Sequence, residues 1–260
     1  MDLGLKDKVM LVTGGAKGIG AAIVRGAAQE RAIPVIVDRD AAAGEAIQRE
    51  LRNSGAVCEL ISTELSNPDN CARAVEASAQ KLGRIDALVN NAGINDKVGL
   101  ESGSPSEFVA SLERNLLHYY NMAHFALPHL KRSKGAIVNI GSKTAVTGQG
   151  STSGYACAKG GVMALTREWA VELLPYGIRV NAVLPAEVMT PLYRQWLDTF
   201  RHPEEKLQAV LSRIPLENRM TTAEEIAATV LFLISPQSAH TTGQHLFVDG
   251  GYVHLDRALS

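Results

Sequence analysis

Cysteine is scarce in this 260-residue chain: Cys58, Cys71 and Cys157 are the only three. Their odd number, wide separation and lack of paired-cysteine metal spacing argue against a disulfide framework and against a thiolate zinc site, so three buried thiols are expected. Long hydrophobic runs are also missing. None approaches the roughly 20 apolar residues that a bilayer-crossing helix needs, and 46% hydrophobic with 20% charged residues fits neither disorder nor a membrane span. Neither charge sign dominates: 26 Lys plus Arg stand against 27 Asp plus Glu, a formal net charge of -1. That balance gives no basic footprint for nucleic acid, and no patterned aromatic platform supplies one. Residues 1–7 contain no long apolar signal segment, so a cytoplasmic setting is expected. The expected partner is a small molecule, with neither nucleic acid nor membrane and with no metal required.

What is present is a repeating alternation. The apolar run Val9 to Val12 ends in a glycine-rich turn, and Ile19 to Arg31 then carries Ala, Ile and Val at helical spacing. The pattern recurs with Pro34 to Val37 before an Ala-rich helix, Val57 to Ile61 before a helix near Asp69 to Leu82, and Ala87 to Val89 before Asn90-Asn91-Ala92-Gly93. Ala136 to Ile140, a long helix near Tyr155 to Leu174, a strand from Arg179 to Val183, a helix from Thr222 to Leu233 and a strand from His245 to Val248 follow. Strands alternating with helices predict an α/β fold with a doubly wound, mostly parallel, Rossmann-like sheet. One domain spans residues 1–260, and the irregular stretch from Pro185 to Pro215 is read as a small substrate-side lid, at residues 188–215. The alternation alone would also suit a flavodoxin-like protein or a sugar-binding module.

Local chemistry narrows the choice. Thr13-Gly14-Gly15-Ala16-Lys17-Gly18-Ile19-Gly20 lies between first strand and first helix, where free backbone N–H groups and the helix dipole favour an anion. Gly14 permits the turn, Gly18 close approach of a pyrophosphate, and Gly20 packing of the helix on the sheet; a Walker lysine with its Ser or Thr is lacking. Asp38, 18 residues beyond Gly20, can accept hydrogen bonds from both ribose hydroxyls of adenosine, which favours NAD. Arg39 and Lys17 keep NADP open, because either cation could offset Asp38 and pair with a 2'-phosphate. Asp38 as a surface or helix-capping acid is the plainer alternative.

Tyr155 and Lys159 are four residues apart in a helical pattern and so project from one face. A nearby ammonium stabilises phenolate, so Tyr155 is expected to ionise more readily and act as general base. Ser142, just after the fifth strand, can hold a substrate oxygen or merely cap a helix. Asn115 can support a polar water path to Lys159, or be structural.

With Thr13-Gly14, Gly18, Gly20, Asn90-Asn91-Ala92-Gly93, Asn115, Ser142, Tyr155 and Lys159 in place, the chain resembles the short-chain dehydrogenase/reductase family over nearly its whole length. The resemblance implies that Asn91, Ala92 and Gly93 shape the nicotinamide side and that Lys159 also holds the nicotinamide ribose. It implies that Val188 and Thr190 lie near the carboxamide, that Pro185 also contacts the cofactor, and that Ile140-Gly141-Ser142 positions the substrate. Glu64-Leu65 departs from the family's usual acid-aliphatic pair by one methylene, which puts its adenine-side contact in doubt. Homo-oligomerisation is implied too, most often as a tetramer through the long helices and the C-terminal strand.

Pro185-Ala186-Glu187 departs from the family's Pro-Gly and places an acid beside the cleft. Glu187 can accept two sugar hydroxyls, or face solvent, or pair with a neighbouring arginine. Asn95, Lys143, Gln149 and Ser153 occupy the same expected loops, and Trp196 can cover a sugar's apolar face or pack the lid. Residues 185–193, with the tail Gly250 to Leu259, resemble bacterial sugar dehydrogenases that act on L-fucose. That implies oxidation of a pyranose C1 hydroxyl to a lactone, through Tyr155, Ser142 and Lys159. Reduction of an acyl-chain or secondary-metabolite carbonyl is the competing enzymatic reading, and a cofactor-binding structural or regulatory protein the non-enzymatic one.

Overall fold

The computed structural model describes residues 2–255, so the tail residues Asp256, Arg257, Ala258 and Leu259 invoked above lie outside the described residues. Strands β1 (Val9–Thr13), β2 (Ile33–Asp38), β3 (Glu59–Ser62), β4 (Ala87–Asn90), β5 (Ala136–Ile140), β6 (Arg179–Pro185) and β7 (His245–Val248) pair throughout in parallel. Their order among the described residues is β3-β2-β1-β4-β5-β6-β7. The chain therefore winds outward from β1 in one direction, then from β4 in the other. In such a sheet a ligand crevice opens beyond the strand C-termini where the order reverses.

Both faces of the sheet are covered, and β1 shows why. Alternate side chains of a strand point to opposite faces. Met10 and Val12 enter a core with α1 (Gly18–Gln29), α2 (Ala41–Asn53) and α9 (Ala223–Ile234). Val9 and Leu11 enter the other, with α3 (Pro68–Leu82), α5 (His118–Ser133) and α6 (Ser153–Glu172). A strand buried on both sides must be apolar throughout, as Val-Met-Leu-Val-Thr is.

The expected elements are present, and one region is richer than expected. Pro105 to Ser133 forms α4 (Pro105–Leu112), a π-helical turn at Glu113–Leu117 and α5. The stretch read as irregular contains two short helices, α7 (Pro191–Leu197) and α8 (Pro203–Leu211), each with proline in its first turn. Of the three thiols, Cys58 and Cys71 are buried as expected, but Cys157 on the outer side of α6 is exposed. Burial pushes the Cys58 thiol up to about 12 and the Cys71 thiol up to about 11, which keeps both protonated. No described helix is long and apolar enough to cross a membrane.

Candidate functional site

The C-terminal ends of β1, β2, β4, β5 and β6 converge on a cleft of about 630 Å³. At its nucleotide end, Gly14 and Gly18 adopt positive φ (62° and 53°). A Cβ on Gly20 would lie 2.0 Å from the Gly14 carbonyl oxygen. Gly20 is thus required by the turn itself rather than by contact with the sheet. Helix α1 starts at Gly18 behind an N-cap lysine, whose side chain has no oxygen to offer the first-turn N–H groups. Open N–H groups, the helix dipole and a backbone free of side chains fit a dinucleotide pyrophosphate.

The braces of this turn come from the residues that follow β4. Thr13 Oγ accepts the N–H groups of Asn91 (2.9 Å) and Ala92 (3.1 Å), while Asn91 Nδ2 donates to the carbonyls of Thr13 (2.9 Å) and Gly14 (3.1 Å). Gly93 faces the deeper end, where a Cβ would stand 3.0 Å from Asn115 Oδ1 and 3.6 Å from Lys159 Nζ.

Asp38, at the end of β2, lines the cleft and accepts N–H groups from Ala16 (2.9 Å) and Asp40 (3.0 Å). The two cations that kept a 2'-phosphate open are both engaged with other acids. Lys17 pairs with Asp40 at 2.5 Å, and Arg39 with Glu64 at 3.1 Å. Glu64 also accepts the Leu65 N–H at 2.9 Å. The extra methylene that distinguishes this acid is accompanied by a hold on Arg39, and Ile19, Glu64 and Leu65 all line the cleft.

At the deep end Ser142, Tyr155 and Lys159 line the cleft together, with Pro185, Ala186, Val188 and Thr190 along its edge. Ser142 takes the capping role, its Oγ accepting the Thr144 N–H (3.2 Å) at the start of a short 3-10 turn, and it also hydrogen-bonds Tyr155. Tyr155 departs from expectation. Burial pushes its phenol up to about 12, opposed by the Ser142 hydrogen bond and reinforced by the Asp96 charge. Lys159, 2% exposed, is itself pushed down to about 7 by burial. Its Nζ lies 5.6 Å from the Tyr155 ring centroid and donates elsewhere, to Tyr119 Oη (2.9 Å) and the Ile140 carbonyl (2.8 Å). The tuning expected from the spacing alone is here outweighed by desolvation.

Asn115 sits fully buried in the π-turn, accepting the Ile94 N–H at 2.7 Å and donating to the Ser111 carbonyl at 3.0 Å. It lies behind Gly93 rather than in the cleft wall.

The expected substrate residues divide. Glu187 is neither unpaired nor joined to an arginine: its carboxylate is ion-paired with Lys143, and Tyr193 hydrogen-bonds to it. The two charged side chains are 12% and 10% exposed, and Lys143 Nζ stands 4.1 Å from the Tyr252 ring centroid. Burial and the Glu187 charge push the Tyr193 phenol far up, so it stays a hydrogen-bond donor. This cluster backs the cleft beside Tyr193, which lines it. Asn95, Lys143, Gln149, Ser153, Glu187 and Trp196 do not line the cleft. Asn95 Oδ1 accepts the Lys97 N–H, Gln149 is exposed on its loop, Ser153 begins α6, and Trp196 packs edge-on against Tyr193 and Phe200, both at 5.0 Å.

Several residues at the site carry no sequence motif of their own. His118, Arg114 and Tyr193 line the cleft, and Tyr119 lies behind Lys159. Helical spacing from Asn115 puts His118 and Tyr119 within one turn of it, which was a readable signal.

A protein-family model described as enoyl-(acyl carrier protein) reductase matches residues 14–253. The L-fucose dehydrogenase of Bos taurus is 36% identical over 94% of this chain and 88% of its own length. The 3-oxoacyl-(acyl-carrier-protein) reductase of Thermotoga maritima is also 36% identical, over 96% of this chain and 99% of its own. Among solved structures, Cj0485 dehydrogenase is 48% identical with a TM-score of 0.96, covering 100% of this chain and 99% of that one.

Proposed function

Because the chain belongs to the short-chain dehydrogenase/reductase family of NAD(P)-dependent oxidoreductases, we propose that it oxidises the C1 hydroxyl of a pyranose, L-fucose or a related aldose, to the lactone. The observation that carries this reading is the ion-paired Lys143 and Glu187, with Tyr252, set behind Tyr193, which lines the same cleft as Ser142 and Tyr155. An apolar acyl chain or steroid gains nothing from a nearly buried ion pair, whereas sugar hydroxyls can satisfy its remaining donors and acceptors. A carboxylate has about four lone-pair sites. Lys143 and Tyr193 leave Glu187 able to accept from a hydroxyl. The L-fucose dehydrogenase of Bos taurus supports the same class.

Ser142 Oγ holds the C1 oxygen, Tyr155 Oη takes its proton, and Lys159 holds the nicotinamide ribose and stabilises the phenolate from which Tyr155 acts. When bound, the nicotinamide accepts the C1 hydride at its C4. The sugar thus loses one proton and one hydride, and a carbonyl forms at C1. Asn115 supports the proton path behind Lys159. NAD is the preferred cofactor, because the Asp38 carboxylate at the end of β2 suits the adenosine ribose hydroxyls, while Lys17 and Arg39, which also line the cleft, are each paired with another acid, Asp40 and Glu64. Helices α7 and α8 act as the substrate-side lid, in which Trp196 stiffens Tyr193 rather than touching sugar. The working form is a homotetramer, and sedimentation at micromolar concentration checks it, a single species near 28 kDa contradicting it.

A second reading, reduction of an acyl-carbonyl substrate, draws on the equally similar Thermotoga maritima relative. Reduced-cofactor absorbance across free aldoses, simple secondary alcohols and acetoacetyl thioesters separates the two. Aldose turnover supports the sugar reading; turnover of acyl carbonyls with none of aldoses overturns it.

A further inference from the structure

Lys159 is a cation buried with oxygen partners but no acid paired to it in the hydrogen bonds that hold it. One partner is a backbone carbonyl. The other is Tyr119, a fully buried phenol on α5 that no part of the proposed reaction uses. The three groups close a triangle: Lys159 Nζ to Tyr119 Oη 2.9 Å, Lys159 Nζ to Ile140 O 2.8 Å, and Tyr119 Oη to Ile140 O 2.9 Å.

The direction of each bond matters. A phenol has one proton, and that of Tyr119 goes to the Ile140 carbonyl. Its lone pairs are therefore what it presents to Lys159, and acceptors stabilise the ammonium over the neutral amine. Burial keeps the Tyr119 phenol protonated, since its proton affinity is driven well above the ordinary value.

We propose that Tyr119 is a positioning residue that holds Lys159 in its charged form and aims it, through the shared Ile140 carbonyl, along the cleft floor next to Tyr155. The inference rests on the proton-transfer roles proposed above for Tyr155 and Lys159. Burial alone drives Lys159 towards the neutral amine, down to about 7, and the two acceptors oppose it. Without the Tyr119 oxygen only the carbonyl remains, and the ammonium is favoured less. A neutral Lys159 cannot stabilise a phenolate, so Tyr155 would need a higher pH to lose its proton.

The other groups around Lys159 do not supply the missing stabilisation. His118, one residue before Tyr119, is pushed down to about 4 by burial and is neutral at working pH; its Nε2 lies 3.0 Å from the Arg114 carbonyl. Its Nδ1 is buried with no partner. Asp96, from the loop after β4, is paired with Arg114 at 2.7 Å and raises the Tyr155 proton affinity rather than lowering it. β5 supplies the Ile140 carbonyl, the turn after it the neutral Ser142 hydroxyl, and α6 Tyr155 itself.

The test is Tyr119→Phe, which keeps the ring and removes the oxygen. Competitive acetylation followed by peptide mass spectrometry titrates Lys159 without any turnover. Loss of one acceptor on a buried cation should lower its proton affinity about tenfold or more, about one pH unit. In parallel, the alkaline-rising limb of kcat for alcohol oxidation should move up by a comparable amount, with KM changed less than kcat. If the phenylalanine variant does not fold, 3-fluorotyrosine at position 119 preserves shape while weakening the oxygen as acceptor, and should move both titrations the same way by less. A Lys159 titration unchanged in a folded variant overturns the proposal, as does loss of stability with neither titration moved. Absence of hydride transfer in the wild type from every alcohol tested would sink the functional reading instead, and the acetylation titration would still decide the role of Tyr119.

Discussion

Replacing Glu187 by alanine strips the Lys143 ammonium of its counter-ion in a site where both side chains keep only about a tenth of their exposure. Breaking a buried pair from one side costs about 3 to 5 kcal/mol, because the remaining charge is left desolvated. The residual exposure lets water reach Lys143, so about 3 kcal/mol is the appropriate figure. For a chain of this size each kcal/mol moves Tm by roughly 2 to 4 °C, which gives a fall of roughly 6 to 12 °C. The double variant Glu187→Ala with Lys143→Met should recover most of it, since no charge is then left unpaired. Thermal unfolding of the four proteins of the cycle reads this directly. In the same variants the kcat/KM for a sugar should drop by about 10-fold to 150-fold, with NAD affinity changed by no more than about threefold. A Tm shift under about 2 °C, or a double variant no better than the sum of the two single ones, would refute the claim that the pair is a coupled buried unit. Unchanged sugar kcat/KM would remove Glu187 from recognition and leave the pair structural.

Three further outcomes are expected. Tyr155→Phe should leave NAD binding largely intact while lowering turnover at least about 100-fold, since the ring stays and the proton acceptor goes; single-turnover kinetics check it. Asp38→Ala should raise kcat/KM with NADP relative to NAD by removing repulsion from the 2'-phosphate, and an unchanged ratio in paired assays would show that Asp38 does not set the choice. Burial lowers Lys159 to about 7 and raises Tyr155 to about 12. Between pH 7 and 10 the unfolded chain then binds more protons at Lys159 than the folded one, so this group adds stability as pH rises. Above pH 10 the folded chain keeps the Tyr155 proton that the unfolded chain loses, and stability falls. Tm followed from pH 7 to 9 should show a rise that Lys159→Met diminishes.

Where the sequence was legible, local pattern and tertiary environment agreed. Ala136–Ile140 and His245–Val248 are strands with the bounds that their apolar runs imply. The glycine-rich turn, Asp38, Ser142, Tyr155 and Lys159 meet in one cleft, as strand ends on one edge of a parallel sheet must. What stayed hidden depends on partners distant in sequence. Glu187 reads as an available acid until Lys143, 44 residues away, is seen against it. Lys159 reads as a partner of Tyr155 until Tyr119, 40 residues away, takes its hydrogen bond. Helices α7 and α8 were readable after all: Thr190 caps the first, and proline stands in the opening turn of each. The aromatic and charged residues between them disguised two short helices as irregular chain.

In the proposed reaction the C1 hydride of a free pyranose passes to a nicotinamide while Tyr155 takes the hydroxyl proton. L-Fucose carrying deuterium at C1, incubated with the enzyme and NAD, tests it most directly, with the cofactor and sugar products identified by NMR and mass. Deuterium is expected at C4 of the reduced nicotinamide and absent from the lactone, with both signals abolished in Tyr155→Phe. Deuterium retained in a sugar oxidised at another carbon, or no oxidation of fucose or any related aldose while acyl carbonyls are reduced, would contradict it.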